Sequence, residues 1–193
     1  MKNKKTFFII ALVFVLLIGG ATVLYRQLGK NIAAEQLATQ STKQSDESAA
    51  GETEQKIKAP DFTVYDADGN EVHLADYIGK PIVLNFWASW CGPCQSEMPD
   101  FHEKYLELGD DVHFLMINMT DGARETVESA SAFIVKNGYA FPVFYDTKSD
   151  AASIYGAYSL PTTFFIDADG YAIAQATGAI DAETLQRGLD MIK

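Results

Sequence analysis

The sequence predicts one α/β domain carried behind an N-terminal apolar segment. Three observations support this. Two continuous apolar runs, Pro81–Trp87 (PIVLNFW) and Val112–Asn118 (VHFLMIN), have the composition of parallel strands buried on both faces. Residues Cys94, Met98, Phe101, Tyr105 and Leu108 recur at helical spacing directly after the first run. The chain then closes with a hairpin pattern and a capped helix.

The elements follow in order. Phe62–Tyr65 and Glu71–Leu74 alternate around Asp66-Ala67-Asp68-Gly69-Asn70, a hairpin signal. Pro93–Leu108 is a helix, Arg124–Asn137 a second one that stops at Gly138, and Asp150–Tyr155 a third, short one. Pro142–Tyr145 is a short strand. Thr162–Asp167 and Tyr171–Thr177 flank Ala168-Asp169-Gly170 as a second hairpin, and Asp181 caps a last helix running to Ile192. This domain spans residues 59–193.

Residues 1–25 read as a membrane anchor. Lys2, Lys4 and Lys5 precede 19 uncharged residues, Phe7 to Tyr25. As a helix this run is about 29 Å long, close to the roughly 30 Å hydrocarbon core. The three lysines predict an N-terminus inside and a domain outside, although Arg26 and Lys30 on the far side weaken the asymmetry. A cleaved signal peptide is the alternative, but Asn31 and Ile32 make the stretch before Ala33-Ala34 a poor cleavage site. No cysteine follows the run, which sets aside a lipid anchor. Residues 26–58, rich in Gln, Ser, Thr, Ala and Glu, read as a polar flexible linker, with Asn31–Gln40 able to form a helical turn or two.

Charge excludes some partners. The net charge of −11 conceals an asymmetry: residues 59–193 hold 7 Lys/Arg against 21 Asp/Glu, a net of −14. Phosphate backbones repel such a domain, so nucleic acid is not an expected partner.

The chain has 2 cysteines, both in Cys91-Gly92-Pro93-Cys94. They lie where a buried strand meets a helix start, and the chemistry of a reactive thiol needs that place. The attacking species is the thiolate, which unpaired N–H groups and the helix dipole stabilise. Cys91 points outward and attacks; Cys94, one turn in, resolves the mixed disulfide. Pro93 suits a first turn, where its missing N–H has no helical partner. A closed zinc site would need two further ligands, and His73, His102 and His113 show no ligand spacing. Neither a metal nor another cofactor is expected. Trp87 alternates into the strand as a core residue. Trp90 borders Cys91 either as packing or as part of a docking surface.

Glu97 lies three residues after Cys94, on or beside the apolar stripe of its helix. A carboxylate there is costly unless its pKa rises. The plain alternative is an exposed acid in an early helical turn.

Residues 57–193 resemble the extracytoplasmic thioredoxin-like proteins of the TlpA/ResA type. The resemblance rests on Trp87-Ala88-Ser89-Trp90-Cys91-Gly92-Pro93-Cys94, on Glu97-Met98-Pro99, and on Leu160-Pro161-Thr162-Thr163-Phe164-Phe165-Ile166-Asp167 followed by Gly170. It implies a thioredoxin fold: a central mixed sheet flanked by helices, with an N-terminal β-hairpin and an inserted helix at Arg124–Asn137. It implies a thiol-disulfide oxidoreductase that reduces disulfides of extracytoplasmic proteins, apocytochrome c among them. Its electrons would come from a membrane thiol carrier of the CcdA/DsbD kind. It implies that Pro161 is a cis-proline beside the cysteine pair, with Leu160, Trp90, Gly92 and Pro93 on the substrate side. It also implies that Glu97 assists proton transfer. Thioredoxin keeps a buried aspartate six residues before its first cysteine, where this chain has Asn85, which cannot ionise. Gly92 replaces a charged residue of family members and matches the thioredoxin dipeptide, which favours reduction over the alternative, oxidation or isomerisation. Ala59-Pro60-Asp61-Phe62 also opens many peroxiredoxins, but Ala88 stands where a thiol peroxidase has threonine. A redox-inert interaction module is the remaining alternative.

Overall fold

The computed structural model describes residues 37–39, 41–42 and 55–193. The expected anchor, and with it residues 1–36, lies outside the described residues. Among the described residues no helix is long and apolar enough to cross a membrane.

The strands are β1 (Ala38–Thr39), β2 (Ser41–Thr42), β3 (Gln55–Lys58), β4 (Thr63–Tyr65), β5 (Glu71–His73), β6 (Ile82–Trp87), β7 (His113–Asn118), β8 (Val143–Tyr145), β9 (Thr162–Ile166) and β10 (Tyr171–Thr177). The helices are α1 (Gly92–Leu108), α2 (Val127–Asn137), α3 (Asp150–Tyr155) and α4 (Ala182–Ile192), with a 3₁₀ turn at Leu74–Tyr77. They build one mixed sheet in the order β2-β3-β10-β9-β6-β7-β8-β4-β5, with β1 beside β10. β6, β7 and β8 run parallel, and β9 and β10 return antiparallel.

Every residue of β6 and β9 is buried, because helices cover both faces there. Alternation divides the two faces. Val83 and Trp87 of β6 and Phe165 of β9 pack with Met98 and Phe101 of α1, Ala130 of α2 and Leu185 and Leu189 of α4. Ile82, Leu84 and Phe86, with Phe164 and Ile166, pack on the other face against Leu74, Ala151 and Ala152. Asn85 and Thr163 therefore fall on the α1 face, and the antiparallel register sets them directly opposite each other.

The expected hairpin forms as β4–β5. Asp66 closes its turn by accepting from the backbone N–H groups of Asp68 and Asn70, each at 2.9 Å. Two expectations change. Gln55–Lys58, assigned to the linker, is a strand paired with Tyr171 and Ala172 of β10 on one side and with the two-residue β2 on the other. Lys56 reaches Asp167 at 2.9 Å, and Lys58 lies over the Tyr171 ring. A four-residue strand with two lysines and a single apolar residue looks like tether in composition. Ala38–Thr39 is likewise extended, against Ala174 and Gln175 of β10. The second helix starts at Val127 rather than Arg124. Asp121 accepts from the N–H groups of Ala123, Arg124 and Glu125 and so holds those residues in a loop. Thr126 and Ser129 then form a reciprocal cap at the helix start.

Gly188 of α4 lies on the buried side, and a Cβ added there would run into the Phe165 ring at the centre of the sheet. Gly188→Ala is expected to destabilise the fold by about 1–3 kcal/mol through overpacking, more than the helix propensity that alanine contributes. A lowered urea midpoint would show it, and an unchanged or raised midpoint would refute it.

Candidate active site

The cysteines sit at the junction of β6 and α1. Cys91 is the N-cap of α1, in extended conformation, and its Sγ accepts from the Cys94 N–H at 3.2 Å. The pair is joined in a disulfide. Cys94 is fully buried, and Cys91 is 5% exposed, so the outward-pointing residue expected at 91 touches the surface only at its edge in this oxidised state. Around it Gly92 and Pro93 are exposed, and Trp90 is 41% exposed. Nothing lies within 4 Å of where a Cβ at Gly92 would be. In the reduced protein the free N–H groups of the α1 start and its dipole would face the Cys91 sulfur, which favours a thiolate.

The loop before the cysteines is tied from two sides. Ser89 donates to Glu125 Oε2 through its backbone N–H at 3.0 Å and its hydroxyl at 2.8 Å. Its carbonyl accepts from the Gln95 side chain at 2.6 Å. Glu125 is fully buried and also accepts from Asn118 and Ser129. Next to it, the Arg124 guanidinium lies 3.5 Å from the centre of the Trp90 ring, a cation–π contact. The sequence reading placed Glu125 inside a helix and missed it. Its signal was Thr126-x-x-Ser129, which starts the helix at 127 and leaves Glu125 before the cap, free to turn inward.

Glu97 lies one turn beyond Cys94 and is 2% exposed. Its Oε1 accepts from Asn85 Nδ2 at 2.9 Å, and its Oε2 accepts from the Ile180 N–H at 3.0 Å. Burial pushes its pKa up to about 7; the hydrogen bonds from Ile180 and Asn85 pull back against that rise, and repulsion from Asp100 adds to it. Asn85 Nδ2 also donates to Thr163 Oγ1 at 3.0 Å.

The Leu160–Pro161 peptide bond is cis. Pro161 is buried, and Leu160 packs on the core cluster that contains both cysteines. Cys91, Cys94, Trp90, Gly92, Pro93 and Glu97 share the start of α1, while Leu160 and Pro161 come from the loop before β9. Trp87 is core, fully buried with its ring 5.8 Å from that of Phe133.

A cysteine pair at the start of a helix, fed by a buried central strand whose antiparallel neighbour is entered through a cis-proline, defines a thioredoxin-like redox protein. Comparison with known proteins agrees. The AhpC/TSA family model matches residues 56–174. The thiol-disulfide oxidoreductase ResA of Geobacillus kaustophilus (strain HTA426) is 38% identical over 136 residues, covering 70% of this chain and 76% of the relative. A thiol:disulfide interchange protein of Chlorobium tepidum TLS superposes with a TM-score of 0.63 at 25% identity, covering 72% of this chain and 98% of that one. The exposed lipoprotein thioredoxin Etrx1 of Streptococcus pneumoniae strain TIGR4 superposes with a TM-score of 0.58 at 33% identity, covering 68% and 98%. The chain belongs to the AhpC/TSA family and, within it, to the ResA-type thiol-disulfide oxidoreductases.

Glu97 gives the site a stability signature. An acid whose folded-state pKa is raised binds more protons folded than unfolded between its ordinary value and the raised one. Stability therefore falls as pH rises through that window, here from 4.5 to about 7. The loss approaches about 3 kcal/mol. Glu97→Gln does not titrate, so its stability relative to the native chain should improve steadily from pH 5 to pH 8 in urea denaturation. A difference that stays constant across that range would refute the raised pKa.

Proposed function

We propose that this chain reduces disulfides of extracytoplasmic proteins while held at the outer side of a cell membrane. The observation that carries the reading is the cysteine pair at the α1 start with a buried, protonatable Glu97 one turn behind Cys94.

The reaction runs as two exchanges. The Cys91 thiolate attacks one sulfur of the substrate disulfide, and the other substrate sulfur leaves as a thiolate that takes up a proton. Cys94 then gives its proton to the Glu97 carboxylate and attacks the Cys91 sulfur of the mixed disulfide. The second substrate thiol is released, two electrons have passed to the substrate, and Cys91 and Cys94 are joined. A base with a pKa near the working pH suits the second step, since it both accepts and returns a proton readily. Trp90, Gly92, Pro93 and Leu160 form the surface that the substrate meets, and the buried Pro161 fixes the backbone beside Leu160.

Reduction is favoured over oxidation by the Gly92-Pro93 dipeptide, which this chain shares with thioredoxin. Thioredoxin lies at roughly −270 mV and the oxidant DsbA at roughly −120 mV, a gap of about 7 kcal/mol for two electrons. Re-reduction of the pair falls to a membrane thiol carrier of the CcdA/DsbD kind. Apocytochrome c and other secreted or surface proteins are the substrate candidates.

Full-length Cys94→Ala tests the activity, because Cys91 can still attack but the mixed disulfide cannot resolve. Extracytoplasmic proteins should accumulate on it as adducts released by dithiothreitol, and the native chain should equilibrate with glutathione buffers at a potential below about −180 mV. A higher potential would make the protein an oxidase or isomerase, and failure to form any adduct would remove the reading altogether.

The outward placement rests on Lys2, Lys4, Lys5 and the apolar run Phe7 to Tyr25. Protease added to intact spheroplasts should digest the domain. Complete protection, or a soluble form beginning near residue 35, would overturn the anchored topology.

A further inference from the structure

We infer that Asn85, paired across the sheet with Thr163, is a positioning residue that sets the pH at which Glu97 exchanges its proton, by offering whichever end of its amide the carboxyl requires. Its catalytic meaning rests on the reading of Glu97 as the base for Cys94.

Asn85 and Thr163 are both fully buried, and the β6–β9 register puts them opposite each other on the α1 face. The two N–H bonds of Asn85 Nδ2 are both used, one on Glu97 Oε1 and one on Thr163 Oγ1. Asn85 Oδ1 is buried with no hydrogen-bond partner among the described residues. A buried carbonyl left unpaired is costly, so its retention calls for a reason.

The two protonation states of Glu97 supply one. The carboxylate needs donors and has two, Asn85 Nδ2 and the Ile180 N–H. The acid carries an O–H of its own, which needs an acceptor, and a backbone N–H cannot provide that. A half-turn of the Asn85 amide about its Cβ–Cγ bond replaces the donor by Oδ1. The Thr163 hydroxyl serves as acceptor before the turn and as donor after it. One amide atom is unpaired in each state, Oδ1 with the carboxylate and Nδ2 with the acid. The penalty is therefore similar on both sides of the proton transfer, and Glu97 changes state without stranding its own proton or its own charge.

The groups that face Glu97 leave this role to Asn85. β6 contributes a neutral amide, itself bonded to the Thr163 hydroxyl of β9, and the loop before α4 a backbone N–H; the charge bearing on Glu97 is Asp100, on its own helix, and it acts in the same direction as burial. An apolar side chain at 85 would remove a donor from the carboxylate, the state that depends on it more. Loss of one hydrogen bond to a charged group corresponds to an upward move of about one to two pH units.

The test uses full-length Asn85→Leu. The carbon-13 resonance of the Glu97 carboxyl, followed in the oxidised protein, should titrate about one to two pH units higher than in the native chain. The pH–rate profile for reduction of a disulfide-bonded substrate such as insulin should move upward by the same amount and recover at alkaline pH. In a Glu97→Gln background, Asn85→Leu should not move that profile at all. An unchanged Glu97 midpoint, or a rate lowered equally at every pH, would overturn the proposal and leave Asn85 as packing. A shifted midpoint with an unshifted rate profile would support Asn85 and refute Glu97 as the base for Cys94. Should Asn85→Leu fail to fold, Asn85→Ala removes the same amide with less bulk and is read in the same way.

Discussion

A carboxyl group shut away from water one helical turn beyond Cys94 is the constraint around which this molecule is arranged. Glu97 belongs to α1, but its oxygens are held by β6 and by the loop that leads into α4. Three elements, two of them consecutive in the chain and the third 83 residues from Glu97, are thereby tied to one ionisable group. Burial of a charge is unfavourable unless hydrogen bonds compensate, and here they compensate only in part, which is why the group's pKa stays high. The fold tolerates that cost because the surrounding cluster is large and apolar: Val83, Trp87, Met98, Phe101 and Phe165 all lie on the same face.

The second buried glutamate shows the contrasting use of the same side chain. Glu125 is wrapped by donors from Ser89, Asn118 and Ser129, drawn from three segments. Its contacts fix the backbone just ahead of Cys91, while Arg124 beside it steadies the exposed Trp90 ring. One glutamate thus holds the shape of the loop just ahead of Cys91, and the other lies one helical turn beyond Cys94 among apolar side chains, with two donors. The division follows from how many donors each receives rather than from residue type.

Much of this was legible before any coordinates. PIVLNFW and VHFLMIN are strands because a run buried on both faces has no polar positions to alternate. Cys94, Met98 and Phe101 marked the buried stripe of α1, and the position of Glu97 on that stripe announced a carboxyl in an apolar setting. Asn85 stood out as a residue that cannot ionise, but its contact with Glu97 depends on the packing of β6 against α1, which no local pattern encodes. Thr163 needed the β6–β9 register, and β9 follows β6 by more than seventy residues. Glu125 was hidden because helical periodicity continues smoothly back through it; capping by Thr126 and the turn around Asp121 decide the boundary. Gln55–Lys58 was hidden for a different reason, since a four-residue strand carrying two lysines and one apolar residue has no alternation to read.

Gly92 follows Cys91 with open space where a side chain would go. The residue next to Cys91 in the chain is thus mechanically uncoupled from the core. A new side chain there disturbs no packing, so selection can retune the driving force of electron transfer in single steps while the scaffold stays as it is. The neighbouring positions lack that freedom: Cys94 and Glu97 are locked in the interior, where any change of size is felt by the whole cluster. In such an arrangement the redox character of the site is free to change while the architecture stays fixed.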